Sequence, residues 1–174
     1  MPDSCKVRLY EPNDLQPVVA LLNRCLTCDP MTSAVFQRKV LLDPNFDPAG
    51  ALLAVSGDDV VGFALGMVRR FPLEDGASDF DRSWITLIAV DESHRRRGIA
   101  GSLVVALEQW FRSRNCTQTY VSSYAPNYFF PGVDVNAYPE ALAFFGAMGY
   151  LEVYRPLSMD ANLLGLRKPG WLVA

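Results

Sequence analysis

Ile85-Thr86-Leu87-Ile88-Ala89-Val90-Asp91-Glu92-Ser93-His94-Arg95-Arg96-Arg97-Gly98-Ile99-Ala100-Gly101-Ser102-Leu103 is the stretch that organises the chain. With Trp84, its first part is an almost unbroken apolar run, which predicts a strand over Trp84–Val90 buried on both faces. Its second part passes through small residues to Leu103, Val104, Leu107 and Phe111, spaced for one face of a helix over Gly98–Arg114. Strand, small-residue turn and helix in that order make a site for a phosphorylated ligand.

The chemistry of the turn is elementary. The first amides of a helix have no intrahelical partner, and the aligned peptide dipoles place about half a positive charge there. An anion answers both needs. Gly98, Ala100 and Gly101 let a phosphate approach the main chain, while Arg95, Arg96 and Arg97 add guanidinium groups that fork onto phosphate oxygens. A solvated basic turn is the competing reading of Arg-Arg-Arg-Gly, and the buried strand on one side and amphipathic helix on the other favour phosphate.

Working outward, Lys6–Tyr10 alternates like a strand, and Leu15, Val18, Val19, Leu22 and Leu26 follow at helical spacing with Asp14 as the expected cap. A second helix is expected over Ser33–Leu42. Ala51–Ser56 and Val60–Val68 are apolar strands joined by Gly57, Asp58 and Asp59, the signature of a hairpin. Arg70–Arg82, with Pro72, Gly76 and several acids, reads as a surface loop. Beyond the central helix come a β-branched and aromatic strand (Thr117–Tyr124), a loop rich in Pro, Gly and aromatics (Ala125–Asp134), a helix (Pro139–Met148) stopped at Gly149, and a strand (Tyr150–Leu157). Residues 158–174 show no clear period beyond a weak strand at Gly170–Ala174. The order predicts a single α/β or α+β domain over residues 1–174, regular over about 6–157, with one mixed sheet flanked by helices.

Half of the 174 residues are hydrophobic and a fifth are charged, the balance of a globular protein. A net charge of -3 gives the whole surface no pull on polyanions, so a nucleic-acid role for Arg95–Arg97 is the weakest reading. No signal pattern and no membrane-spanning run is evident, so the chain is expected to be cytoplasmic, without a membrane partner. Four cysteines, Cys5, Cys25, Cys28 and Cys116, are too scattered for a disulfide framework. The Cys25-x-x-Cys28 pair lacks a second pair to complete a tetrahedral metal site, and no metal is expected.

Arg95-x-x-Gly98-x-Ala100 resembles the [Q/R]xxGx[G/A] signature of the GNAT superfamily of acyl-CoA-dependent N-acyltransferases. Leu87-Ile88-Ala89-Val90 before it and Ser102-Leu103 after it are similar to the family's usual neighbours, and the order of elements matches from Lys6 to about Leu157. The resemblance implies a mixed, mostly antiparallel sheet and acetyl-CoA as cosubstrate. Its pyrophosphate would sit on the turn at Arg95, Arg96, Arg97, Gly98, Ile99, Ala100, Gly101 and Ser102. Main-chain groups of Ile88 and Val90 would hold the thioester carbonyl and pantetheine arm, where the family's fourth strand splays from the fifth. The implied reaction is direct attack by a primary amine in a ternary complex.

The chain departs from the family's catalytic pattern. Where some members carry a glutamate early in the fourth strand, this sequence has Trp84, so a base would come from Asp79, Asp81 or a water chain. The position that corresponds to the family's tyrosine acid is Phe145, which has no proton to give; Tyr138, Tyr124 and Tyr128 are the candidate acids in its place, with Tyr138 the first choice. Asn127-Tyr128-Phe129-Phe130-Pro131-Gly132-Val133-Asp134 resembles an extended loop found in a subgroup, some of it tandem. Tyr128, Phe129 and Asp134 are therefore candidate acceptor contacts, set against a self-packed loop. The acceptor is a small-molecule or peptide amine. An incomplete last strand points to a homodimer or to a second domain that covers the edge. The alternative function is a non-catalytic, regulatory acyl-CoA-binding domain.

Overall fold

The computed structural model describes residues 5–71, 79–127, 129, 132–155 and 165. Its centre is a five-stranded sheet in the order β1-β2-β3-β4-β5, formed by β1 (Lys6–Leu9), β2 (Ala51–Ser56), β3 (Asp59–Val68), β4 (Arg82–Val90) and β5 (Gln118–Val121). The first four strands pair antiparallel, and β5 lies parallel to β4. A short β2–β3 turn with Gly57 at φ 60 makes the expected hairpin. The parallel β4–β5 pair needs a crossover, which the helix between them supplies.

Two layers of helix cover the sheet. On one face, α1 (Leu15–Cys25) and α2 (Ser33–Phe36), continued by a π-helical turn at Gln37–Leu41, pack Val18, Leu22, Phe36 and Val40 against Phe63, Leu65, Met67, Trp84 and Leu87. On the other, α3 (Ile99–Ser113) and α4 (Pro139–Ala147) pack Leu103, Leu107, Phe111 and Phe145 against Ala54, Ala64 and Ile85. Strands β3 and β4 are buried on both faces, which explains why both read as continuous apolar runs rather than alternating ones.

Three expectations need correction. Asp14 does not cap α1 through its side chain; the carboxylate turns back to accept the Glu11 amide at 2.7 Å and pairs with Arg8 at 2.6 Å. Burying a carboxylate requires such partners, and they outweigh a cap. Residues 151–155 form no strand although Leu151 and Val153 alternate correctly, and both lie exposed. Alternation sets only which face a residue takes, and a strand also needs a partner edge; β5, last in the order, does not pair with this segment. Strand β5 itself is half the expected length, ending at Val121 where Ser122 and Ser123 turn left-handed. Most of the expected Arg70–Arg82 loop, and the tail from residue 156 apart from Gly165, lie outside the described residues.

Gly66 of β3 lies directly under Phe111 and Leu107 of α3. A Cβ there would lie 2.6 Å from Phe111 Cζ and 2.9 Å from Leu107 Cδ2. Gly66→Ala is predicted to cost about 1–3 kcal/mol by overpacking, read as a lower urea midpoint with an unchanged m-value.

The Arg8 guanidinium, and then the Glu11 amide, hold the Asp14 carboxyl below its ordinary pKa. A depressed folded pKa adds stability above the unfolded value and loses it as pH falls through the folded one. Wild type should therefore be more stable than Asp14→Asn at neutral pH and lose that margin below about pH 4, measured by urea unfolding across pH.

Candidate functional site

Pairing between β4 and β5 runs from Arg82–Gln118 to Ile85–Val121, with the Ser122 amide bonded to the Ile85 carbonyl at 2.8 Å, and there it stops. Strand β4 continues to Val90 against β3 only. Thr86 is the extra residue of a bulge opposite Leu65 and Gly66, and its hydroxyl meets the Leu65 carbonyl at 3.4 Å. A bulge bends its strand, here just where the two strands part.

Peptide groups alternate sides along a strand. The Asp91 amide donates to the Val61 carbonyl at 2.9 Å, so Ala89 and Asp91 face β3, while Ile88 and Val90 turn their peptide groups toward the side that β5 has vacated. The Val90 carbonyl accepts Arg95 Nε at 3.1 Å and Cys25 Sγ at 3.4 Å. This free edge forms one wall of a cleft of about 1920 Å³ that runs from the start of α3 past the splay to α4.

The turn at the end of β4 is held by its own side chains. Asp91 accepts the Ser93 amide at 3.1 Å and the Ser93 hydroxyl at 2.7 Å, and pairs with Arg24 of α1 at 3.1 Å. The Ser93 hydroxyl leads the contacts that hold the Asp91 carboxyl below its usual pKa. Arg96 at φ 61 and Gly98 at φ 80 then swing the chain into α3. Helical bonding begins with the Ser102 amide on the Gly98 carbonyl at 2.9 Å, so the amides of Ile99, Ala100 and Gly101 precede the first intrahelical bond. Added Cβ atoms at Gly98 and Gly101 would meet nothing within 4 Å. The first turn of α3 is an open cradle of amides with positive dipole potential.

Of the residues singled out in the sequence, Ile88, Val90, Arg95, Arg96, Gly98, Ile99, Ala100, Gly101, Asp134 and Tyr138 line this single cleft. Arg97 and Ser102 are exposed on the turn but outside its lining. Phe129 also stands apart, packed toward the α1 and α2 core with Lys39 Nζ 5.1 Å from its ring. Tyr128 lies outside the described residues. The Asp134 carboxylate is turned onto the amides of Asn136 at 2.8 Å and Ala137 at 3.0 Å, and those bonds, Ala137 first, lower its pKa.

The candidate acids and bases are more constrained than their residue types suggest. The Tyr138 hydroxyl reaches Asp29 at 3.3 Å and accepts the Cys28 amide at 3.2 Å, tying the start of α4 to the loop after α1. Burial, aided by Asp29, pushes its pKa up to about 12, which disfavours the phenolate. Tyr124 is buried among Asp43 and Asn45, outside the cleft, with its pKa raised chiefly by burial. Asp79 pairs with Arg69 at 2.6 Å, Asp81 meets the Thr117 hydroxyl at 3.4 Å, and neither lines the cleft. Trp84 is buried against Tyr120, Tyr124 and the Arg69 guanidinium, while Phe145 lines the cleft with no proton to offer. The sequence reading missed Asp29 and the Ser122–Ser123 turn and took Cys25 only as an ordinary thiol; Asp91-x-Ser93 carried a local signal, that of an Asx turn. All four cysteines are free, and among the described residues no group of acids, Cys and His could hold a metal ion. No described helix is long and apolar enough to cross a membrane.

The acetyltransferase (GNAT) family model matches residues 16–129, which include the hairpin, β4, the turn and β5. The chain belongs to the GNAT acetyltransferase family. No curated protein is a significant match to the sequence. Among solved structures, this GNAT domain is similar to an aminoglycoside N-acetyltransferase in complex with CoA, at 16% identity and a TM-score of 0.65, over 92% of this chain and 98% of that one. It is similar to an aminoglycoside 6'-N-acetyltransferase from Acinetobacter haemolyticus at 16% identity and TM-score 0.62, over 91% and 99% of the two chains. The ribosomal-protein-S18-alanine N-acetyltransferase of Escherichia coli matches at 16% identity and TM-score 0.62, over 87% of this chain and 80% of its own. At such identities the likeness is one of fold, and the mixed, mostly antiparallel sheet of the GNAT domain is its content.

If Asp91 organises the turn as a cap, Asp91→Ala should lower unfolding stability by about 1 kcal/mol while Asp91→Asn keeps most of it. Urea titrations of both variants distinguish the cap from the exposed Arg24 pair, whose contribution is small.

Proposed function

We propose that this GNAT domain transfers the acetyl group of acetyl-CoA to a primary amine by direct attack in a ternary complex. The observation that carries the reading is the joining, in one cleft, of the amide cradle at Ile99–Gly101 and the free peptide edge at Ile88 and Val90. Pyrophosphate suits the cradle, since its charge meets the helix dipole, the open amides and the guanidinium groups of Arg95 and Arg96. Arg95 is braced by its bond to the Val90 carbonyl, which orients it at the strand end. From there a pantetheine arm runs back along β4, with the amides of Ile88 and Val90 as its hydrogen-bond partners.

Acetyl-CoA, when bound, supplies an activated acyl group. The chain's part is to hold it, exclude water and stabilise the charge that develops on the acyl oxygen, which fixed backbone amides do at little reorganisation cost. The acceptor must arrive as a neutral amine, and an alkyl amine is only about one part in a thousand neutral at pH 7. With Asp79 and Asp81 outside the cleft, the proposed carrier of that proton is water, unless the acceptor is an amine of low basicity. The solved relatives named for aminoglycoside and ribosomal-protein alanine substrates support an amine acceptor and leave its class open. Of the candidate acceptor contacts, Asp134 lines the cleft, as do Tyr138 and Asp29, and these are the groups we propose an acceptor amine would meet. The functional setting is cytoplasmic.

A second reading, acyl-CoA binding without turnover, is favoured by one observation: Trp84 and Phe145 are apolar and packed where other members carry ionisable groups. Both readings require the same donor site, and turnover separates them.

Calorimetric titration should show acetyl-CoA and CoA binding to wild type. Gly101→Asp should abolish both: that position lines the cleft, a Cβ there meets nothing, and the new carboxylate opposes the phosphates. Thiol release across an amine panel then reports transfer. No binding by wild type contradicts the donor site, and binding with no thiol release selects the second reading.

A further inference from the structure

Strands β4 and β5 part just after the Ile85–Val121 pair, and at that vertex two successive residues adopt left-handed backbone, Ser122 at φ 64 and Ser123 at φ 54. Serine rarely takes this conformation, and strained backbone of this kind gathers at functional sites, where the surroundings hold it in place. The anchor here is the Ser122 amide, bonded to the Ile85 carbonyl at 2.8 Å. Ser122 is buried; Ser123, next along, is partly exposed and lines the cleft.

A leaving thiolate at this vertex needs a hydrogen-bond donor. The proton-bearing side chains around it are mostly committed to protein partners. Tyr138 is tied to Asp29 and the Cys28 amide, Thr86 to the Leu65 carbonyl, Cys25 to the Val90 carbonyl and Tyr150 to Glu108. Phe145, at the position the family resemblance marks for an acid, has no proton. Among the described residues the Ser123 hydroxyl makes no hydrogen bond, and it sits where the two strands open.

We propose that Ser123 is a catalytic residue whose hydroxyl donates a hydrogen bond to the sulfur of CoA as it leaves. The inference rests on the functional reading above. In the step, the amine lone pair forms the N–C bond and the C–S bond breaks with its electron pair on sulfur. The surplus proton of the amine passes to water, and the thiolate later takes a proton from water. Ser123 keeps its own proton throughout and stabilises the anion. Ser123 lines the cleft at the point where its left-handed backbone turns the chain away from the β4 edge.

The test reads the thiol directly. Bound CoA is titrated by its ultraviolet thiolate absorbance, with the desulfo-CoA complex as blank, in wild type, Ser123→Gly and Ser123→Asn. Glycine suits the left-handed backbone and removes the hydroxyl; asparagine tolerates that backbone and keeps a donor. In Ser123→Gly the bound thiol should titrate about one pH unit higher than in wild type, with kcat about tenfold lower and an unchanged KM for acetyl-CoA. Ser123→Asn should recover part of both. Normal CoA binding with an unshifted thiol titration in Ser123→Gly overturns the proposal and leaves the donor site standing. Failure of wild type to bind CoA removes the donor site, and this proposal with it.

Discussion

Beyond Ile85 and Val121 the peptide groups of β4 lose their strand partner on one side; Arg95 and Cys25 take the Val90 carbonyl, and the other polar groups of that edge must be satisfied by water or a ligand. The rest of the site depends on that vacancy. Had β5 continued alongside β4, Ile88 and Val90 would be ladder residues in a closed sheet and the cleft would not exist. The break has identifiable causes on both strands: a bulge at Thr86 bends β4, and the left-handed pair Ser122–Ser123 turns the chain away from β5.

The same geometry places the anion cradle. Because β4 runs past the splay before it turns, the start of α3 stands at the open end of the vacated edge, and the amides of Ile99, Ala100 and Gly101 face the cleft that the edge begins. The turn is pinned from two directions. Asp91 caps it and joins it to α1 through Arg24, and Arg95 reaches back to the Val90 carbonyl. Burial of α3 against β3, close enough to require Gly66, fixes the helix axis relative to β4.

Where a residue's role is decided by its local sequence, it was legible. The continuous apolar runs of β3 and β4, the hairpin at Gly57 and the helical spacing from Leu103 to Phe111 each specify their element, and the small residues at Gly98–Gly101 specify the turn. Roles decided by distant partners were not. Asp14 looks like a cap until Arg8 is found beside it. Asp134 looks like a free carboxylate until the amides of Asn136 and Ala137 occupy it, and Tyr138 looks like a free phenol until Asp29 meets it across the cleft. The Tyr150–Arg155 segment alternates like a strand, yet pairing depends on an edge that no local pattern encodes. Ser122 and Ser123 carry no signal at all, since serine in a strand-like run gives no warning of left-handed backbone.

The central claim is that one donor molecule occupies both the amide cradle of α3 and the free edge of β4. Amide hydrogen exchange with and without CoA tests it residue by residue. The account predicts protection of Ile99, Ala100 and Gly101 together with Ile88 and Val90, and little change in β1 and β2. Protection confined to the helix start, or appearing elsewhere while the β4 edge exchanges freely, would contradict it.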